Sequence, residues 1–372
     1  TYWPQLCLVQ VAAPEEAATI DPLAEGIDLG PLFDVMAAPG VIKVFHAARQ
    51  DIEIFHHLNG AIPKPLFDTQ VAAMVCGFGE SVGYETLATK LAHAKIDKSM
   101  RFTDWSHRPL TDRQLHYALS DVTHLRVAYE KLAQQLVTSG RTRWLDEEMA
   151  ILTNPATYLT DPADAWRRLK TRSSNPRFLA VLKELAAWRE SEAQGRDVTR
   201  NRVLRDDTLL DIAAHRPRSR EELLRTRGID RNSRNPEKAD NILAAVARGM
   251  DIPNDQCPRP AKPEPLPKGL GATLDLLKVL LKMKCEAEGV AQKLVANSAD
   301  LERIAVDDDA PVAALSGWRR ELFGDDALAL KHGERALAID GNVLRLIPAN
   351  NSVGATRDGE INGGNSRRRR RN

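Results

Sequence analysis

Cysteine, long apolar runs and a surplus of charge of either sign are all scarce in this chain, and each scarcity removes a class of protein. The four cysteines, Cys7, Cys76, Cys257 and Cys285, form no C-x-x-C pair, which excludes a disulfide framework or a structural zinc site and points to a reducing compartment. No run of about 18 apolar residues exists to span a membrane. The apolar start from Thr1 to Ala13 lacks the basic residues of a secretory signal, so the cytoplasm is the expected location. A formal net charge of +1 argues, as an average, against a strongly basic nucleic-acid binder. What is present is ordinary for folded protein: 372 residues, 43% hydrophobic and 28% charged, enough for two or three domains with real cores.

The chain divides by composition. From Thr1 to about Leu136, short β-branched runs such as Val41 to Phe45 alternate with helical segments, and Leu6 to Val11 reads as a strand, so an α/β domain is expected over 1–140. A helix is signalled from Thr111: Thr111 and Gln114 form a T-x-x-Q capping pattern, and Leu115, Ala118, Leu119, Val122 and Leu125 follow at helical spacing. Residues 141–163 read as a connector around a short acidic helix, Leu145 to Leu152. Over 164–250 the sequence turns helical and Arg-rich, with helices expected at Phe178 to Gln194, Asp207 to His215, Ser219 to Arg225 and Pro236 to Arg248, a small bundle. Six prolines between Pro253 and Pro267 predict an extended linker over 251–267. A further unit over 268–348 carries expected helices at Leu270 to Glu288, Ala310 to Phe323 and near Leu328 to Ala336. The Gly/Asn/Ser-rich end, 349–372, finishes in Arg367 to Arg371, a flexible basic tail.

Two places suggest chemistry. Tyr117 and Asp121 lie four apart on the capped helix, so a phenol and a carboxylate emerge one turn from each other on one face. Taken alone, the pair also describes an exposed Asp beside a half-buried Tyr on any helix. Asp51 follows an apolar strand, Val44-Phe45-His46, where a helix begins; a carboxylate there can be aimed into a cleft at a sheet end, or can simply offset the helix dipole. His46 at a strand end reads as packed, and His56 and His57 face different directions on a helix, which does not suit a shared metal.

In combination these segments resemble the DEDDy exonuclease family, in its bacterial ribonuclease D branch. The resemblance rests on Thr1-Tyr2-Trp3-Pro4-Gln5-Leu6-Cys7-Leu8-Val9-Gln10, the H-A-x-x-x-D motif from His46 to Asp51, and Phe67-Asp68-Thr69-Gln70. It continues through Lys98-Ser99, Thr103-Asp104-Trp105 and Arg108-Pro109-Leu110 to Tyr117 and Asp121, in register over about 130 positions. The Arg-rich unit is similar to the helicase-and-RNase-D C-terminal (HRDC) domain at Trp188-Arg189, Arg196-Asp197 and Asn201-Arg202-Val203-Leu204, and 268–348 looks like a second, more divergent copy.

The resemblance implies an RNase H-like mixed sheet with helices, followed by two all-α HRDC-type domains. It implies a 3′→5′ exoribonuclease that trims tRNA precursors to nucleoside 5′-monophosphates, with no membrane and no obligate protein partner. Four carboxylates would hold two divalent ions, Mg²⁺ or Mn²⁺, which prefer oxygen ligands. By similarity Asp121 ligates one ion, Asp51 supports the other through water, and Tyr117 orients the attacking water, since a phenol of pKa about 10 is a poor base at neutral pH. Trp105 is expected to pack, and Arg108 is open between holding the helix and bordering an RNA groove. The family's Asp-x-Glu on a first strand would lie before Tyr2; Glu15-Glu16 and Asp28 do not replace it. Two expectations follow from that: a missing upstream segment with weak metal binding by the chain as written, and, as the alternative function, a catalytically weak RNA-binding protein. A proofreading DNA exonuclease fits the tandem HRDC-like units less well.

The +1 average also resolves by segment. Residues 1–160 carry net −6 and 161–250 net +6; 251–348 carry −3 and the tail +4. Acidic balance thus falls where divalent cations are expected, and basic balance where phosphates are.

Overall fold

The computed structural model describes residues 1–97, 99–229, 236–259, 267 and 269–349. They form two compact units: residues 1–76 with 81–259, and residues 77–80 with those from 267 onward. Lys98, part of the Pro-rich stretch (260–266) and the tail from 350, with Arg367 to Arg371, lie outside the described residues.

The first unit opens with an antiparallel pair, β1 (Val9–Ala12) and β2 (Ala17–Ile20), in which Val9 faces Ile20. After α1 (Gly30–Ala37), started by Pro31 in its first turn, β3 (Lys43–Phe45) leads through α2 (Arg49–Asn59) to β4 (Leu66–Asp68), which pairs parallel to β3 with Phe45 opposite Asp68. The chain continues through α3 (Thr69–Val75) and α4 (Tyr84–Leu87) to α5 (Asp112–Thr138) and α6 (Thr142–Leu152). Strands therefore run in both senses, in two two-stranded ladders; no ladder joins β1 to β3 among the described residues. The Lys43 ammonium is buried where β3 starts, and three carbonyls satisfy it: Ala38 (2.7 Å), Val41 (2.8 Å) and Lys64.

The capping pattern read at Thr111 is realised in full. Thr111 Oγ1 accepts from Gln114 N–H at 3.3 Å, and Gln114 Oε1 accepts from Thr111 N–H at 2.8 Å, so α5 begins at the expected residue and runs 27 residues.

The Arg-rich part is helical: α7 (Pro176–Gly195), α8 (Arg200–Val203), α9 (Asp206–His215), α10 (Arg220–Leu223) and α11 (Pro236–Asp251). Leu182, Leu185, Leu209, Ile212, Leu223, Ile242 and Val246 make its core. Gly249 is required there, because a Cβ would stand 2.5 Å from the Val181 Cα where α11 crosses α7. The expected extended linker starts instead as a turn, with Gln256 N–H bonded to Pro253 O at 3.0 Å and Cys257 buried. All four cysteines are free.

The second unit contains α12 (Leu270–Glu288), at the expected bounds, then α13 (Gln292–Val295), α14 (Ser298–Val306), α15 (Gly317–Arg319) and α16 (Asp325–Lys331). Trp318, Phe323, Leu277 and Ile304 are fully buried. Two expectations need correction. Ala310 to Phe323 is not one helix: a 3₁₀ turn at Ala313–Leu315 precedes Gly317, whose φ of +53° interrupts the run. The helix expected near Leu328 to Ala336 stops at Lys331, and Gly333 at φ +72° turns the chain into a hairpin of β5 (Arg335–Asp340) and β6 (Val343–Pro348). The unit is therefore helical with an added hairpin rather than all-α.

Candidate active site

The ends of β3 and β4 and the first turns of the helices that follow them organise the site. Asp68 ends β4 with its side chain 2% exposed, and four backbone amides satisfy it. Ala47 (3.1 Å) and Ala48 (2.8 Å) donate from the start of α2; Gln70 (2.8 Å) and Val71 (3.3 Å) donate from the start of α3. One carboxylate thus fixes two helix N-termini, where amides lack intrahelical partners.

Asp51 sits in the first turn of α2, three residues after the Ala48 cap. Its side chain is open to solvent, yet its pKa is pushed up to about 6, first by loss of solvation among surrounding protein atoms, then by the Asp68 charge; its own backbone N–H opposes the shift. Asp121, on α5, is half-buried and likewise raised to about 6 by desolvation. Among the described residues, no cation contributes to either shift.

Tyr117 lies one turn before Asp121. Burial and then the Asp121 charge raise its phenol above the ordinary value of 10, against an opposing pull from Arg101. Trp105 stacks on the Tyr117 ring, centroids 6.1 Å apart and planes at 28°. Trp105 is half-buried, so it packs and borders the phenol at once. Arg108 is a strut: its guanidinium grips Asp21 at 2.7 and 2.6 Å and bonds the carbonyls of Cys7 (2.7 Å) and Trp105 (2.8 Å), tying this loop to the β1–β2 pair.

His46 and Tyr84 connect the two sides. His46 Nδ1 meets Thr69 Oγ1 at 3.0 Å, and because that hydroxyl donates to Phe45 O at 2.9 Å, the ring nitrogen supplies the proton. Burial holds His46 below its ordinary pKa, and its ring lies edge-on to Tyr84 at 5.7 Å. The Tyr84 hydroxyl donates to Ser120 O at 2.9 Å, and burial followed by the Asp121 charge raises its pKa. His46 is packed, as expected. His56 turns toward Tyr158 and His57 stacks on Trp3, so the two histidines do diverge.

Of the sequence candidates, the structure brings Tyr117 to Asp121 and Asp51 to Asp68, with His46 and Tyr84 between the pairs. Among the described residues, no three His, Cys, Asp or Glu side chains converge as a metal-ligand group. The carboxylates of Asp51 and Asp121 are nonetheless hard oxygen donors, and Mg²⁺ is commonly held by one or two protein carboxylates plus waters and substrate phosphate; the residues fit a divalent ion in that mode. Sequence reasoning missed Asp68 and Tyr84 as site residues. For Asp68 a signal existed, an Asp ending an apolar strand before a helix, while nothing in the spacing marks Tyr84.

A family model described as a 3′-5′ exonuclease matches residues 1–137, which hold Asp51, Tyr117 and Asp121, and an HRDC-domain model matches 178–246. The chain is 53% identical over 347 residues to Ribonuclease D of Nitrobacter hamburgensis, covering 93% of this chain and 91% of that one. It is 52% identical over 351 residues to Ribonuclease D of a Jannaschia species, with the same coverage. It superposes on the crystal structure of Escherichia coli RNase D, described as an exoribonuclease involved in structured RNA processing, with TM-score 0.74 and 31% identity over 89% of this chain and 90% of that one. No helix among the described residues is long and apolar enough to cross a membrane.

Proposed function

The chain belongs to the ribonuclease D family and is a 3′→5′ exoribonuclease, and from that premise we propose that Asp51, Asp121 and Tyr117 are its catalytic residues, acting on the 3′ ends of tRNA precursors in the cytoplasm. The observation that carries the assignment is the pair of accessible, desolvated carboxylates, each raised to about 6, with a phenol one helical turn from one of them. Among the described residues, no cation stabilises their charge.

Divalent ions bound there, Mg²⁺ or Mn²⁺, would supply Lewis-acid activation of water and charge neutralisation at phosphorus. Asp121 would hold the ion that activates the attacking water. Asp51, which is exposed, would support the second ion through water. With its pKa above 10, Tyr117 keeps its proton at neutral pH, so its hydroxyl orients the nucleophile by hydrogen bonding and does not deprotonate it. Asp68 holds the first turn of α2, and therefore Asp51, in place. We read 1–140 as the exonuclease domain, 164–250 as the HRDC domain and 268–348 as a second HRDC-like domain, the net +6 of residues 161–250 suiting them to RNA phosphates.

The test is release of labelled nucleotides from RNA ending in a 3′-hydroxyl, in Mg²⁺ or Mn²⁺. Asp121→Asn is expected to lower kcat by about 10²–10³-fold. Tyr117→Phe, which keeps the ring and its stack on Trp105, should cost about tenfold. Undiminished release by Asp121→Asn would remove it from the site, and equal release with and without chelator would refute the metal dependence.

A further inference from the structure

Phe102 is the most exposed of the large hydrophobic side chains among the described residues, at 93%. It sits on the loop that precedes α5, and that loop is fastened on both sides of it. Arg113 bonds Ser99 Oγ at 3.2 Å on one side, Met100 O accepts from Thr103 N–H at 3.2 Å, and the Arg108 strut holds the other. The ring is therefore presented by a braced turn. One of its faces is occupied: the Arg101 guanidinium carbon lies 5.3 Å from the ring centroid, a cation–π pair. Arg101 is also close enough for its charge to act on the Tyr117 phenol, on which Trp105 is stacked. Aromatic and basic residues thus interleave from 101 to 108 beside the candidate catalytic tyrosine.

We propose that Phe102 is a stacking platform for a nucleobase of bound RNA close to its 3′ end, with Arg101 closing the other face of the ring and reaching the adjacent phosphate. The proposal rests on the exoribonuclease reading above and names one subsite of it. A single exposed apolar side chain needs no function in general. Here three observations act together: the bracing of the turn, the cation on one face, and the position beside Tyr117. A flat apolar face next to a guanidinium matches a nucleotide, whose base stacks on any π-surface and whose phosphate pairs with the cation. Such stacking tolerates every base, as an enzyme that removes nucleotides in succession requires.

Binding of a short 5′-fluorescein oligoadenylate with a 3′-hydroxyl, followed by anisotropy with the full chain and metal chelated so that the RNA stays intact, tests this. Phe102→Ala and Phe102→Leu are each expected to weaken binding about tenfold, and Phe102→Trp to stay within about twofold of wild type. An abasic nucleotide in the stacked position near the 3′ end should weaken wild type by the same factor and leave Phe102→Ala unaffected. Wild-type affinity in Phe102→Ala, a Leu variant as tight as the Trp variant, or equal abasic losses in wild type and Phe102→Ala would each overturn the proposal while leaving the exoribonuclease reading intact. Failure of the chelated wild-type chain to bind the oligonucleotide would overturn the proposal alone, and only the further absence of nucleotide release in Mg²⁺ or Mn²⁺ would count against the exoribonuclease reading.

Discussion

Asp121 illustrates what the site demands of single residues. Its carboxyl titrates at about 6 in the metal-free fold against an ordinary 3.8, because burial penalises the charge. Between about pH 4 and pH 6 the folded chain therefore binds more protons than the unfolded chain, so stability falls as pH rises through that window, and above it the full penalty stands. Asp121→Asn removes the charge. We expect it to stabilise the metal-free protein at pH 7.5 by on the order of 1 kcal/mol, after discounting for solvent screening of a half-buried group, which is about 2–4 °C in Tm. Melts in chelator should show this gain at pH 7.5 and not at pH 4, together with the loss of turnover. A lower Tm for the variant at pH 7.5 would show that Asp121 is stabilised by contacts instead. The one-turn spacing of Tyr117 and Asp121 on α5 was legible in the sequence because it is local, and α2 does carry Asp51 in its first turn, whereas their proposed roles came from the resemblance and not from spacing. Tyr84 was not, because it meets Asp121 and His46 only through the fold, and no period in the chain relates those positions.

At the level of elements, local signals were read well wherever a cap or a period defined them. Thr111 and Gln114 predicted the first residue of α5, and Leu270 to Glu288 matched at both ends, where Gly289 at φ +62° closes the helix. One error lay at Leu328 to Ala336, where alanine and leucine suggested a helix while Gly333 and the Gly341-Asn342 turn specified a hairpin, and another at Ala310 to Phe323, which Gly317 interrupts. Gly341 at φ +63° is the turn residue that spacing by apolar residues alone does not weigh. Asp68 is the element-level device with the largest consequence, since α2 and α3 both start on its oxygens. Asp68→Asn keeps one acceptor but turns an NH₂ toward an amide such as that of Ala48, which can only donate. We expect a loss of about 1–3 kcal/mol in urea unfolding, and a larger loss for Asp68→Ala, which frees all four amides. Asp68→Asn should also raise the metal concentration needed for half-maximal turnover, because Asp51 rides on the same turn. Unchanged stability in both variants would mean that water replaces the carboxylate at no cost.

Over the first unit as a whole, the segment before β1 is held by the HRDC-matched helices. The Tyr2 hydroxyl donates to Glu190 Oε1 at 2.5 Å and accepts from Arg200 (2.9 Å) and Gln194 (3.1 Å), while Arg200 grips both Glu190 oxygens at 2.6 Å. Asp197 receives the amides of Tyr2 and Trp3 at 2.8 and 2.9 Å, and Trp3 stacks on His57 at 4.3 Å. The chain thereby links α7 to the last turn of α2, the helix whose first turn carries Asp51. Glu190 is 1% exposed; burial alone would raise its pKa, but the bonds from Arg200 and Tyr2 outweigh it and keep the carboxyl below its ordinary range. None of this was legible in the sequence. Tyr2 and Glu190 stand 188 residues apart, and a buried ion pair leaves no periodic trace; only the composition of the Arg-rich segment pointed to phosphate, which Arg200 does not serve here. Tyr2→Phe should cost about 1–2 kcal/mol by removing a shared hydroxyl. Glu190→Gln should cost about 3 kcal/mol, since it leaves Arg200 without its counter-charge. Because both act on one network, the double variant should fall short of their sum by about 1 kcal/mol in urea unfolding. Strict additivity would mean that Tyr2 and the Glu190–Arg200 pair are neighbours without coupling, and that the first residues of the chain are held by Asp197 and the Trp3 stack alone.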